Sequence, residues 1–470
     1  MAKERVHLSD HFTFGKLIRF TLPMILMMVF SSIYWIVDGT FIANFAGPNE
    51  FAGVNLIFPV IMLVACVGFI FGSGGGALIS KKLGEGKRDE ANKTFSLITY
   101  TAFGTGLVVS IIFYFLVPEI TEAFAKINSV KTSPEMIEAA TTYGRIMIAG
   151  ISLFIMQSYF HSIFAVNETN LHGFYFTLAG GLTNMLLDYL LIGVFRLNVT
   201  GAAIASLSGM FIASVGPIFY FIYHKGNLIY LGKPRKSWSD IGKTLTNGSS
   251  EFVANVSGNV VTLVLNIQLL KYVGQDGVTA YGIISYVSFL FFAIFIGYAV
   301  SITSTIGYNY GAKNKEELTN ILNRTFVLLE GVGIVMFIFS IALAEPFAHL
   351  FTNGDPEMVA LATRAMRLYS ICYLFTGFSM FGSSFFTGLN NGLISALISF
   401  CRTLIFELGM ALLLPLMFGV DGIWLSMVVA EVLAMIMTIS FLFALRKKYG
   451  YRFIRFPLKH FVKSDRGGQQ

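Results

Sequence analysis

Asp38 lies in the middle of SSIYWIVDGTFIANF, a stretch apolar enough for hydrocarbon, where an ionised acid is costly and is by default a functional group. It has company at the same depth. Asp38 and Asp188 each precede a polar turn, at Gly47 and Arg196, by about eight residues, and Ser206 follows Asn198 by about as many, so each lies roughly 12 Å inside one boundary of an apolar slab. Asn184 and Asp188 are four apart and share a helix face, presenting an amide and a carboxylate together. Two neighbouring carboxylates in a low dielectric oppose each other's ionisation, which is the chemistry of a proton-coupling site. The same carboxylate, amide and hydroxyl oxygens suit a hard monovalent cation such as Na⁺ at Asp38, Asn184 and Asp188, and the residues leave H⁺ or Na⁺ open.

The elements that must hold these groups follow from composition. The hydrophobic fraction is 55%, the charged fraction 13%, and Phe alone numbers 47, which exceeds what a soluble core of 470 residues needs. Mean hydropathy is +0.70. Apolar runs of about 20 residues or more recur along the chain, each long enough to cross a bilayer as a helix, so the fold class is all-α integral membrane. Spans are predicted at 17–45, 51–79, 93–117, 136–166, 173–195 and 199–223, then at 250–272, 278–308, 319–344, 360–387, 394–417 and 422–445. The division is an N-terminal six-helix lobe (1–224), a linker (225–247), a C-terminal six-helix lobe (248–446) and a basic tail (447–470). Lys81, Lys82, Lys87 and Arg88, the linker, Lys313 and Lys315, and both tails are basic, which places those segments and both termini in the cytoplasm. The net charge of +7 is thereby an anchoring feature rather than a nucleic-acid surface. Cys66, Cys372 and Cys401 lie in apolar runs and read as small packing residues.

The halves align without gaps. Starting from Gly47 and Gly274, Gly84 meets Gly311 and Asp89-Glu90 meets Glu316-Glu317. A second register sets FHSIFAVNETN on FGSSFFTGLNN, pairing Phe160 with Phe381 and Asn170 with Asn391, and continues to pair Gly201 with Gly422. An even number of spans per half makes the repeats parallel, so the architecture is twelve transmembrane helices in two parallel six-helix repeats around a central cavity.

Leu22-Pro23 followed by VDGTFIANFAG, the turn ALISKKLGEGKRDEANK, the block TNMLLDYLLIGVFRLNVTGAAIAS and its counterpart GVDGIWLSMVVAE resemble the multidrug and toxic compound extrusion (MATE) family over nearly the whole chain. The N-terminal acids and amides are similar to those of its DinF-like branch and of small Gram-positive multidrug pumps. The resemblance implies a two-lobed exporter of organic cations, driven by a proton or sodium gradient, with its cation site carried onto Asp38, Asn184, Asp188 and Ser206, the last where Thr is common. Where the family often has Asn and then an Arg-x-x-Gly turn, this chain has HSIFAVNET, and His161 joins the candidate coupling residues.

The C-terminal half does not copy the cage, because Ile405 and Gly409 stand where Asn184 and Asp188 would be. Its acids lie elsewhere. Glu407, near mid-span, is the candidate substrate carboxylate; Arg402, five residues earlier, falls about 140° round an α-helix and is expected to be a poor partner. Glu330 and Glu431 lie within their spans, and Glu251 reads as a carboxylate at a helix start, favoured by the helix dipole. Phe154, Tyr159, Phe160 and Phe291 would suit planar cations through cation–π contact. Pro23 is the expected hinge of the first helix. FGSGGGALIS lacks the Lys-Ser/Thr ending of a phosphate loop and reads as close helix packing. No catalytic constellation, cofactor motif or nucleotide domain is expected, and the chain is expected to work as a monomer in a lipid bilayer. Alternatives to the cation-coupled exporter are a lipid-linked saccharide flippase, against which the scarcity of midspan cations argues, and a non-transporting scaffold.

Overall fold

A computed structural model describes residues 5–127, 133–224, 226–351 and 355–452. Among the described residues, twelve helical rods run in chain order. In the first half these are α1 (Phe14–Ala46), α2 (Pro48–Gly84), α3 (Arg88–Ile127), α4 (Pro134–Ala149 and Ile151–Val166), α5 (Asn170–Val194) and α6 (Asn198–Tyr223). In the second they are α7 (Trp238–Tyr272), α8 (Gln275–Gly311), α9 (Lys315–Phe351), α10 (Pro356–Tyr369 and Tyr373–Gly388), α11 (Gly392–Phe418) and α12 (Val420–Tyr449). Among the described residues ten are single helices long and apolar enough to cross a membrane, and the two parts of α4, bent by 57°, are so when taken together. The chain is a multi-pass membrane protein. The predicted 136–166 span bends at Gly150, where a Cβ would strike the side chain of Leu207. Apolar residues one or two turns apart, such as Val108, Ile111 and Phe115 on α3, are exposed and face outward, as lipid contact requires.

The repeat is visible in the backbone. Left-handed turns recur at positions the alignments pair: Gly47 with Gly274, Gly86 with Lys313, and Asn198 with Gly419. The lobes meet at the end of the bundle that carries the basic turns. There a Cβ on Gly84 would strike the carbonyl of Tyr308, and one on Gly311 would strike that of Lys81, so the paired glycines cross with backbones touching. Lys82 Nζ, 2.7 Å from Asp240 Oδ2, ties α2 to α7 beside this crossing. The segment before α1 straps the same end. Leu8 N donates to Glu168 Oε1 (2.6 Å) in one lobe and Phe12 N to Glu317 Oε1 (2.9 Å) in the other. His7 and His11 sit against the second oxygens of those carboxylates, each at 2.7 Å.

Two boundaries differ from expectation. The predicted linker ends early, since α7 begins at Trp238, where Ser237 Oγ accepts the Asp240 amide (3.3 Å) and caps a polar first turn that hydropathy overlooks. Glu251 is therefore more than three turns inside α7 and is no helix-start carboxylate. The basic tail is described only to Arg452; its remainder, 453–470, lies outside the described residues.

Candidate functional site

Glycines bring the predicted cage together. A Cβ on Gly180 of α5 would strike the Gly209 carbonyl of α6, and the converse holds, so these helices touch and Asn184 comes to stand beside Ser206. One turn away, Gly181 leaves room for the rings of Phe30 and Tyr34 on α1. Asp38, Asn184, Asp188 and Ser206 are all buried, with Asp188 at 0% exposure. Asn184 Nδ2 donates to Ser206 Oγ (3.4 Å), which donates to Asp38 Oδ1 (3.5 Å). Both bonds are long, so the oxygens are gathered rather than locked. Asp38 and Asp188 lie within hydrogen-bonding reach of each other. Yet both Asp188 oxygens and Asn184 Oδ1 are buried without a donor. Two carboxylates facing each other, with no Lys or Arg beside them among the described residues and no donor on Asp188, are incomplete unless a proton or a cation joins them. A π-helical turn follows each acid, Ile42–Ala46 after Asp38 and Tyr189–Val194 after Asp188, a local irregularity that recurs at functional sites.

The sequence reading missed Tyr143. It is fully buried on the first part of α4, its hydroxyl is unpartnered, and it stands beside both acids and Ser206. Gln157 Nε2 reaches the hydroxyl of Tyr34 at 3.5 Å on the same side. Neither residue carries a charge that would mark it in an apolar run. His161 is held elsewhere: its Nε2 is 3.4 Å from Thr177 Oγ1, about 10 Å along α5 from Asn184. The aromatic candidates pack within the lobes. Phe154 lies against Trp35 (5.7 Å between centroids), Tyr159 is buried with its hydroxyl on Thr99 (3.0 Å) and its ring on Phe160 (5.3 Å), and Phe291 meets Tyr373 edge-on (5.0 Å). Pro23 is inside α1, which continues past it as helix to Phe41. Cys66 and Cys372 are buried and all three cysteines are free thiols.

The second lobe corrects one expectation. Arg402 and Glu407 do meet, with Nε 3.7 Å from Oε1, because Cys401–Glu407 is a π-helical turn whose i to i+5 spacing stacks residues that an α-helix would splay. The guanidinium is shared. Its Nε donates to both oxygens of Glu431 on α12 (3.0 and 3.2 Å), and Ser379 Oγ donates to Glu431 Oε2 (2.9 Å). Glu407 is 5% and Glu431 0% exposed, whereas Glu330 is exposed on α9.

The MatE family model matches residues 23–190 and 252–413, one stretch in each lobe. A multidrug export protein, MepA, of Staphylococcus saprophyticus is 23% identical over 93% of this chain and 94% of its own. The structure of a MATE protein in complex with MaL6 superposes with a TM-score of 0.86 at 22% identity, covering 93% of this chain and 98% of that one. A MOP superfamily transporter from Pyrococcus furiosus superposes at 0.85 with 20% identity, covering 94% and 98%.

Proposed function

The chain belongs to the MatE family, and from that premise we propose that it is an antiporter that exchanges H⁺ or Na⁺ for small, mostly cationic amphipathic compounds and exports them across the cell membrane. The observation that carries this reading is the pair of buried acids, Asp38 and Asp188, facing each other with no Lys or Arg beside them among the described residues. Such a site takes up a positive charge from one side and gives it up to the other, which is what coupling to an ion gradient needs. MepA, a multidrug exporter by name, supports the substrate class. The basic turns at Lys81–Arg88 and Lys313–Lys315 favour the cytoplasm for that end of the bundle and for both termini.

In this reading Asp38, Asn184, Asp188 and Ser206 hold the coupling ion, with Tyr143 beside them, and protonation or ion binding at Asp38 biases α1 about Pro23. Glu407 reads the charge of the substrate. The test is efflux of one monocation, one dication and one uncharged compound from proteoliposomes under an imposed pH gradient and then a Na⁺ gradient. One of the two gradients should drive export in the wild-type protein and neither should in Asp188→Asn. Export by Asp188→Asn at the wild-type rate defeats the proposal. Glu407→Gln should weaken export of the cations and spare the uncharged compound; a uniform decline removes Glu407 from the substrate site.

A further inference from the structure

A second polar site lies between the lobes, away from the cage. A small cavity, with about 10 Å³ available to the centre of a water-sized occupant, is lined by Glu251 of α7, Ser73 of α2, Ser162 of α4, Thr303 and Ser304 of α8, and Ser384 of α10. Two of these helices belong to the first lobe and three to the second. Glu251 lies about 20 Å along α7 from its start and is half-buried, with its side chain at the wall of this cavity. Its recorded hydrogen bond is made by the backbone carbonyl, from Asn255 Nδ2 (2.8 Å). Its carboxylate has neither ion pair nor hydrogen bond among the described residues, and no Lys, Arg or His perturbs it. Ser73 Oγ is buried and unpartnered as well.

The backbone is shaped to make this cavity. The π-helical turn Ile70–Gly74 sets Ser73 at its wall, and the helices touch there: a Cβ on Gly74 would strike the Thr244 carbonyl, and one on Gly248 the Ile70 carbonyl. An acid without a partner in a half-buried cleft between membrane helices lacks a counter-charge, and hydroxyl oxygens around it offer a hard cation the coordination that water would otherwise give. The space beside Glu251 accepts a water-sized occupant, which suits one small ion.

We propose that Glu251, Ser73, Ser162, Thr303, Ser304 and Ser384 form a binding site for a small monovalent inorganic cation such as Na⁺, separate from the cage, that joins the two lobes where they close. Occupancy neutralises Glu251 and gives α2 and α4 a common ligand with α7, α8 and α10. The closed junction is then the state the ion stabilises.

The test removes the cage first. In purified full-length Asp38→Asn/Asp188→Asn protein, the thermal midpoint is followed as NaCl replaces choline chloride at constant ionic strength. A saturable rise with Na⁺ is expected, because an ion that binds the folded state raises its stability by mass action. Adding Glu251→Gln should abolish that rise, while Ser73→Ala and Thr303→Val should each raise the half-saturating Na⁺ concentration about tenfold. Absence of the rise while Glu251 is intact overturns the proposal, and so does a rise that survives both Glu251→Gln and Ser73→Ala unchanged. The serine and threonine variants keep the test alive if Glu251→Gln fails to fold. Transport by Asp188→Asn judges the coupling proposal separately.

Discussion

The two lobes share one scaffold and treat buried acids in opposite ways. In the first, Asp38 and Asp188 face each other with no Lys or Arg beside them among the described residues. In the second, Glu407 and Glu431 flank Arg402, so one positive charge is built in. A permanent guanidinium makes a stable ion cluster, whereas a missing one makes a site that must borrow its charge. The difference teaches that the position of an exchangeable ion is set less by where acids occur than by where no Arg or Lys accompanies them.

The largest effects should come from breaking the borrowed-charge side. Asp38→Asn and Asp188→Asn should each lower transport about 100-fold or more with expression intact, and the double substitution should add little, because residues that serve one ion act as a unit. Efflux rates of the two single variants and the double one decide this; modest, additive losses would reduce the pair to helix contacts. Next comes the built-in charge. Arg402→Met strands two buried acids and should destabilise the protein by about 3–5 kcal/mol. Thermal midpoints should recover much of that loss when Glu431→Gln is added, and no recovery would mean that Arg402 matters for its packing.

Why the first cluster was legible in sequence and the second only in part follows from helix type. Asp38, Asn184, Asp188 and Ser206 themselves lie on ordinary α-helix, so the shared face of Asn184 and Asp188 could be counted, and the π-helical turns between the acids and their polar turns alter the depth only slightly. Arg402 and Glu407 fall inside a π-helical turn, and a count at 100° per residue splays them. The twelve rods and both repeats were readable because length, hydropathy and turn glycines repeat, down to the left-handed pairs Gly47/Gly274 and Gly86/Lys313. Trp238–Ser249 was hidden, being a polar amphipathic extension of α7 that a hydropathy window takes for linker. Tyr143 and Glu251 depend on which neighbouring helix faces them, and one chain's sequence does not carry that information.

A smaller effect concerns the strap before α1, which is fastened to one acid in each lobe. Glu317 Oε1 accepts the Phe12 amide, Asn320 Nδ2 donates to both Glu317 Oε1 and the Phe12 carbonyl, and Phe12 itself is fully buried. Glu317→Ala removes an acceptor from a buried amide, at a cost of about 1–3 kcal/mol. Limited proteolysis should cut the first thirteen residues of this variant faster than those of the wild type while transport persists. Equal protection in the two would show that the apolar seat of Leu8 and Phe12 alone holds the strap.

The smallest effect is set by a comparison the molecule itself supplies. Glu85, in the turn between α2 and α3, sits 2.8 Å from Lys87 Nζ and 3.9 Å from Lys81 Nζ, whereas the paired turn between α8 and α9 has Ala312 in its place and, like the first, a left-handed residue next, Lys313 where the first has Gly86. The fold of that turn therefore does not need the acid. The Lys87 hydrogen bond and charge, with help from Lys81 and Lys82, hold the Glu85 carboxyl below the usual carboxylate range, against the smaller upward pull of its burial. A carboxyl lowered in the folded state adds stability above its unfolded pKa and loses that contribution as the pH falls through the folded value. The contribution is small because the pair is on the surface, about 0.5 kcal/mol or less. Glu85→Ala should thus lower the thermal midpoint slightly at pH 7, by an amount that shrinks in 1 M salt and is lost as the pH falls below the usual carboxylate range through the folded-state value. A large or salt-insensitive loss would mean that Glu85 does something for the crossing of Gly84 and Gly311 that Ala312 does not do on the other side.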